Sequence, residues 1–94
     1  MAREYRYYVV VSTNFPREHP YTIVRAWGSE GRAPDEEYFS PRQRWEPGDV
    51  LERISRGSMN RDAEEITERE AKQYEKSLKR RFKKEIKESR ENTR

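Results

Sequence analysis

Six cations fall within nine consecutive positions in Lys79-Arg80-Arg81-Phe82-Lys83-Lys84-Glu85-Ile86-Lys87. Such a density attracts phosphate backbones through Coulomb forces and counterion release, without any need to read bases. An acidic protein surface is attracted by the same charges. The plainer reading stands beside both: cations late in a helix complement its dipole and keep it in solution. Other chemistries find less support. Asp35-Glu36-Glu37 and Glu64-Glu65 suggest a divalent cation or a two-carboxylate mechanism. Neighbours on a strand point to opposite faces, however, so Glu36 and Glu37 cannot share one, and these acids read as solvated charges. His19 lies in a turn-like stretch between Glu18 and Pro20 and reads as an exposed loop histidine. With no Cys there is no thiolate nucleophile, thiolate metal site or disulfide. Gly28 and Gly31 lack the lysine and following helix of a phosphate-cradling loop. Nothing assembles a nucleophile, base and oxyanion donor, so the expectation is a chain that is not an enzyme and takes no metal or cofactor.

A second candidate surface is aromatic. Tyr5, Tyr7, Tyr8, Tyr21, Trp27, Tyr38 and Phe39 crowd the strand-like segments, with Arg6 and Arg25 among them. Cations and aromatic rings together stack on unpaired bases or anchor protein interfaces. The competing reading is a core built from aromatics, for which Tyr tolerates a half-wet position. Tyr8, Trp27, Tyr38 and Trp45 are the residues of this set assigned to a candidate interaction surface. Lys76, Lys79, Arg80, Lys83, Lys84 and Lys87 are assigned to the candidate contact with nucleic acid or an acidic partner.

The elements that must position these residues follow from pattern. Tyr5–Ser12 reads as a strand with Tyr7, Val9 and Val11 on one face and Arg6, Tyr8 and Val10 on the other. Apolar groups on both faces place it inside a sheet. Residues 13–20, with Asn14, Pro16 and Pro20, form a loop. Tyr21–Trp27 and Asp35–Ser40 are further strands, and their short connections make an antiparallel meander. Trp45–Ile54 reads as a short helix with Pro47 at its first position, Asp49 in its first turn and Gly57 as a left-handed stop. Ala63–Ile66 is a candidate fourth strand. Thr67-Glu68-Arg69-Glu70 is a capping box, and a long helix should run from it to about Arg90. At 100° per residue Ala71, Tyr74, Leu78, Phe82 and Ile86 share one arc, while Lys72, Lys76, Lys79, Arg80, Lys83, Lys84 and Lys87 fill another.

Composition sets the limits. The chain has 94 residues, enough for one domain, and 41% are charged. Only 14 are Val, Ile, Leu or Phe, so the core must be small and lean on the 11 aromatics. Ten Arg, no Lys and twelve acids through residue 66 give a net charge of −2. Five Arg, six Lys and six Glu from residue 67 give +5. A slightly acidic body thus precedes a basic tail. No apolar run approaches the ~20 residues of a membrane span, and Met1–Tyr5 lacks the apolar stretch of a secretory leader. These features point to a cytoplasmic protein with no membrane partner.

The series Tyr7-Tyr8-Val9-Val10, Tyr38-Phe39, Arg44-Trp45-Glu46-Pro47 with Asp49 and Leu51, and Glu65-Ile66-Thr67-Glu68-Arg69-Glu70-Ala71 resembles small uncharacterised proteins of high-GC Gram-positive bacteria. The resemblance covers residues 5–82. It implies an intracellular, bacterial, stand-alone domain and brings no catalytic or binding residue with it. The expected fold is α+β: a three- to four-stranded antiparallel meander, covered on one face by the short helix and the first half of the long C-terminal helix. Residues 1–82 should form a single domain and residues 83–94 a basic helical extension, frayed at its end. The expected function is a small accessory or regulatory binding protein that contacts nucleic acid through the basic helix face. The alternative is a protein–protein interaction module, an inhibitor or adaptor, that uses the aromatic sheet surface. The oligomeric state stays open, because a projecting amphipathic helix can also pair with its symmetry mate.

Overall fold

The computed structural model describes residues 4–28, 35–57 and 60–91, with side chains through Glu85. The chain is α+β. Five strands, β1 (Arg6–Val11), β2 (Thr22–Trp27), β3 (Asp35–Phe39), β4 (Trp45–Pro47) and β5 (Asp62–Ile66), form one antiparallel sheet of order β4-β3-β2-β1-β5. Helix α1 (Val50–Ser55) lies between β4 and β5, and α2 (Glu68–Glu91) follows β5. As its two-sided apolar pattern required, β1 is internal, pairing with β2 through Tyr8↔Val24 and with β5 through Val9↔Glu64.

Two features depart from the sequence reading. Trp45–Pro47 is a strand rather than the start of the short helix, so the sheet has five strands and α1 begins only at Val50. The physical reason is Trp45. As a strand residue paired with Phe39, it sets its ring edge-on to Phe39 at 5.6 Å and joins the core. A helix starting there would turn that ring away. The hairpin joining β3 to β4 was hidden because its left-handed residue is Gln43 (φ 63°), not the Gly or Asn that usually marks such a turn. Its backbone closes with the Ser40 and Gln43 amides donating to the carbonyls of Arg44 and Ser40 at 2.9 and 2.8 Å.

The helices also cover opposite faces, not one. Val9, Ile23, Phe39 and Ile66 pack with Ala71, Leu78 and Phe82 of α2, and Tyr7, Val11, Trp45 and Tyr74 close around them. Val10, Val24 and Ala26 are buried on the other face. There Glu36 reaches α1, accepting the amide N–H groups of Leu51 at 2.8 Å and Glu52 at 3.1 Å. The topology explains this. β4 and β5 lie at opposite edges, so the chain between them must cross the sheet, and α1 packs along that crossing against β3 and β5. The return into α2 occupies the other face. Glu36 is therefore not a solvated charge: it is 8% exposed. Its neighbour Glu37 does point to the opposite face, where it pairs with Arg25 at 2.7 Å.

Candidate nucleic-acid interface

The start of α2 fixes the phase of everything after it. The Thr67 hydroxyl accepts the Glu70 amide at 3.1 Å, and the Glu70 carboxylate accepts the Thr67 amide at 3.1 Å, a reciprocal capping box. The Thr67 amide, helped by the Thr67 hydroxyl and Arg17, holds the Glu70 carboxyl below its ordinary range. With the phase set, Ala71, Leu78 and Phe82 are buried and Tyr74 is half-buried. The polar arc must then face away from the sheet.

Lys76, Lys79, Arg80, Lys83 and Lys84 are all exposed on that arc. Lys79 lies 3.9 Å from Glu75, one helical turn back. Among the described residues, Lys76, Arg80, Lys83 and Lys84 have no acidic partner. From Lys76 to Lys84 the row rises about 12 Å, or more than three base steps of a nucleic acid strand. The helical backbone continues through Lys87, whose side chain lies outside those described.

Arg81 belongs to the sequence cluster but does different work. It turns toward the body, and its guanidinium donates to the carbonyl oxygens of Pro20 at 2.6 Å and Tyr21 at 2.9 Å. It also lies over Phe15 and Phe82, with 5.7 and 5.1 Å to the ring centroids. It thus fastens the 13–20 loop to α2. The only sequence signal for this is its place beside the apolar arc rather than within the basic one. Arg17 makes a second tie from the same loop, to Glu64 at 2.9 Å and Glu70 at 3.5 Å. His19 is exposed, as read from the sequence, and its amide donates to the Pro16 carbonyl at 2.9 Å.

The four aromatics of the second candidate surface are not brought together. Trp45 and Trp27 lie on the α2 side of the sheet, while Tyr8 and Tyr38 lie on the α1 side. All four are half-buried rather than exposed. Beside Trp45, the Arg25 guanidinium is sandwiched 4.7 Å from the Tyr5 ring and 4.5 Å from the Trp45 ring, so these rings already hold a cation of their own. Composition shows Arg25 among aromatic residues, but which rings flank it is decided by long-range strand pairing, which brings Tyr5, Arg25 and Trp45 together from three parts of the chain.

Among the described residues no group of three or more His, Asp or Glu side chains is placed to hold a metal ion. No described helix is long and apolar enough to cross a membrane. No family model, curated protein or solved structure matches the chain.

Proposed function

We propose that this chain is a small non-catalytic binding module that contacts the phosphates of nucleic acid through the exposed basic face of α2. The observation that carries the reading is the row of Lys76, Arg80, Lys83 and Lys84, exposed, without acidic partners and held in one phase by a capped, docked helix. Cations held on a rigid scaffold need no ordering when they meet phosphates, so less of the attraction is lost to entropy. The same charges would attract an acidic protein. What favours nucleic acid is their linear spacing along about two turns of helix, which follows a regular polyanion. The rival use of the aromatic sheet surface draws less support, since its four residues divide between two faces.

The test is a fluorescence titration with duplex and single-stranded DNA and RNA at two salt concentrations. Binding should be weak and insensitive to sequence. Three to four phosphate contacts should give a log–log salt slope of about −3. Lys76→Glu, Lys79→Glu and Lys83→Glu combined should abolish it. No binding at low salt, where the attraction is strongest, would remove the proposal. Binding that survives high salt and requires Trp45 or Trp27 would replace it with a protein-partner reading.

A further inference from the structure

At the edge of the basic row, α2 and the 13–20 loop enclose a groove of about 270 Å³. Its walls are Pro20 and His19 from the loop and Tyr74 and Leu78 from α2, with Arg80 and Lys84 along the rim. The walls are mainly apolar and the rim is cationic. The space lies below the range of pockets that take drug-sized ligands and suits one planar ring system. It is also fixed in shape. Arg81, itself part of the lining, holds the loop wall against α2 through the Pro20 and Tyr21 carbonyls at 2.6 and 2.9 Å.

We infer that this groove seats one unpaired base of a single-stranded nucleic acid, with the flanking phosphates on Arg80 and Lys84. The inference rests on the reading of α2 as a nucleic-acid face and narrows its ligand class. Charge complementarity selects the occupant. A planar, uncharged ring joined to an anion on either side matches apolar walls with two cations one helical turn apart beside them, and a base in a nucleotide chain is that object. A duplex cannot supply one, because its bases are stacked and paired inside the helix while its phosphates reach only the rim. Single strands offer splayed bases that lie against tyrosine rings and arginine planes. The basic row therefore supplies attraction to any strand, and the groove supplies the preference for an unpaired one.

Ser77 is exposed and also lines the groove, so Ser77→Leu fills it from a helix-favouring position without removing a core contact. The experiment titrates the full chain and this variant with a fluorescein-labelled eight-nucleotide single strand carrying one 2-aminopurine and with the duplex of the same length. The native chain should bind the single strand about tenfold more tightly, a ratio typical of one stacked base. The 2-aminopurine emission should be quenched on binding. Ser77→Leu should bring both affinities to the duplex value and remove the quenching, while its circular dichroism stays that of the native fold. Equal affinity of the native chain for both forms, or a preference that Ser77→Leu leaves intact, would overturn the inference while leaving the basic-face reading in place. No binding of either form at low salt would overturn both. A polyglutamate peptide that binds as tightly as the single strand and is equally weakened by Ser77→Leu would overturn the base-binding assignment in favour of an acidic-protein site.

Discussion

Glu36 shows how much a single side chain can organise. Asp49 occupies the N-cap position of α1 but makes no side-chain cap bond. The carboxylate of Glu36, reaching from β3, accepts two amides of the first turn instead. Burial raises its carboxyl above the ordinary value of 4.5. The two amides oppose that rise without cancelling it, and Asp49 and Glu52 add to it. The folded chain thus holds this proton more tightly than the unfolded one. The Glu36 contribution to stability is fullest below pH 4.5 and is lost as pH rises through the higher folded value. Glu70 has the opposite sign: its lowered carboxyl stabilises above 4.5, and that contribution is lost as pH falls. Urea unfolding across pH 3–8 should therefore show Glu36→Gln losing less stability than the native chain as pH rises from the acid limb. Glu36→Ala, which leaves the Leu51 and Glu52 amides without an acceptor, should cost about 1–3 kcal/mol. An unchanged urea midpoint for Glu36→Ala would show that the helix start does not depend on it. Sequence reasoning placed Glu36 and Glu37 on opposite faces correctly. It misjudged the burial of Glu36, because a strand cannot announce that a helix from elsewhere in the chain will end on its side chain.

Among the elements, α2 was the most legible, since its cap, apolar arc and basic arc all follow from local spacing. Leu78 and Phe82 are 2% and 6% exposed, so Leu78→Ala and Phe82→Ala should each cost about 2–4 kcal/mol in chemical denaturation. Losses under about half a kcal/mol for both would mean the helix is not docked. The β4–α1 segment was the least legible. Pro47 at a helix start, Asp49 two residues later and Val50, Leu51 and Ile54 on one helical face make a consistent local pattern, but long-range pairing with β3 decides the outcome. Gly48 marks the junction. A β-carbon there would stand 2.7 Å from the Tyr38 ring, so the strand-to-helix turn needs a residue without one. Gly48→Ala should destabilise the fold by about 1–3 kcal/mol through that overlap, measured by the same denaturation. Of the candidate site, the basic row was legible because it is periodic. The groove and the Arg81 clasp were not, since both depend on where residues 13–20 come to rest against a helix some sixty positions away.

For the whole molecule, charge and packing are separable. The residues proposed for replacement, Lys76, Lys79 and Lys83, are all exposed and outside the buried set of α2, so their joint conversion to Glu should leave the denaturation midpoint nearly unchanged even as it abolishes binding. A large drop in stability would mean the row also serves the fold. The Cα radius of gyration is 14.2 Å, against about 12 Å for a compact chain of this length, and the extents are 51 × 33 × 23 Å. Among the described side chains, Lys83, Lys84 and Glu85 are exposed and follow the last buried one, Phe82. The strand order has a further effect in time. β1 is made early, yet one of its neighbours, β5, comes some fifty residues later, and the cover over Val9 is complete only when Leu78 and Phe82 have been added. During synthesis the apolar side of the first hairpin therefore waits uncovered until the chain has grown past residue 82. Native closure becomes a late and strongly non-local step, and the nascent segment before it is the form most exposed to association with other chains.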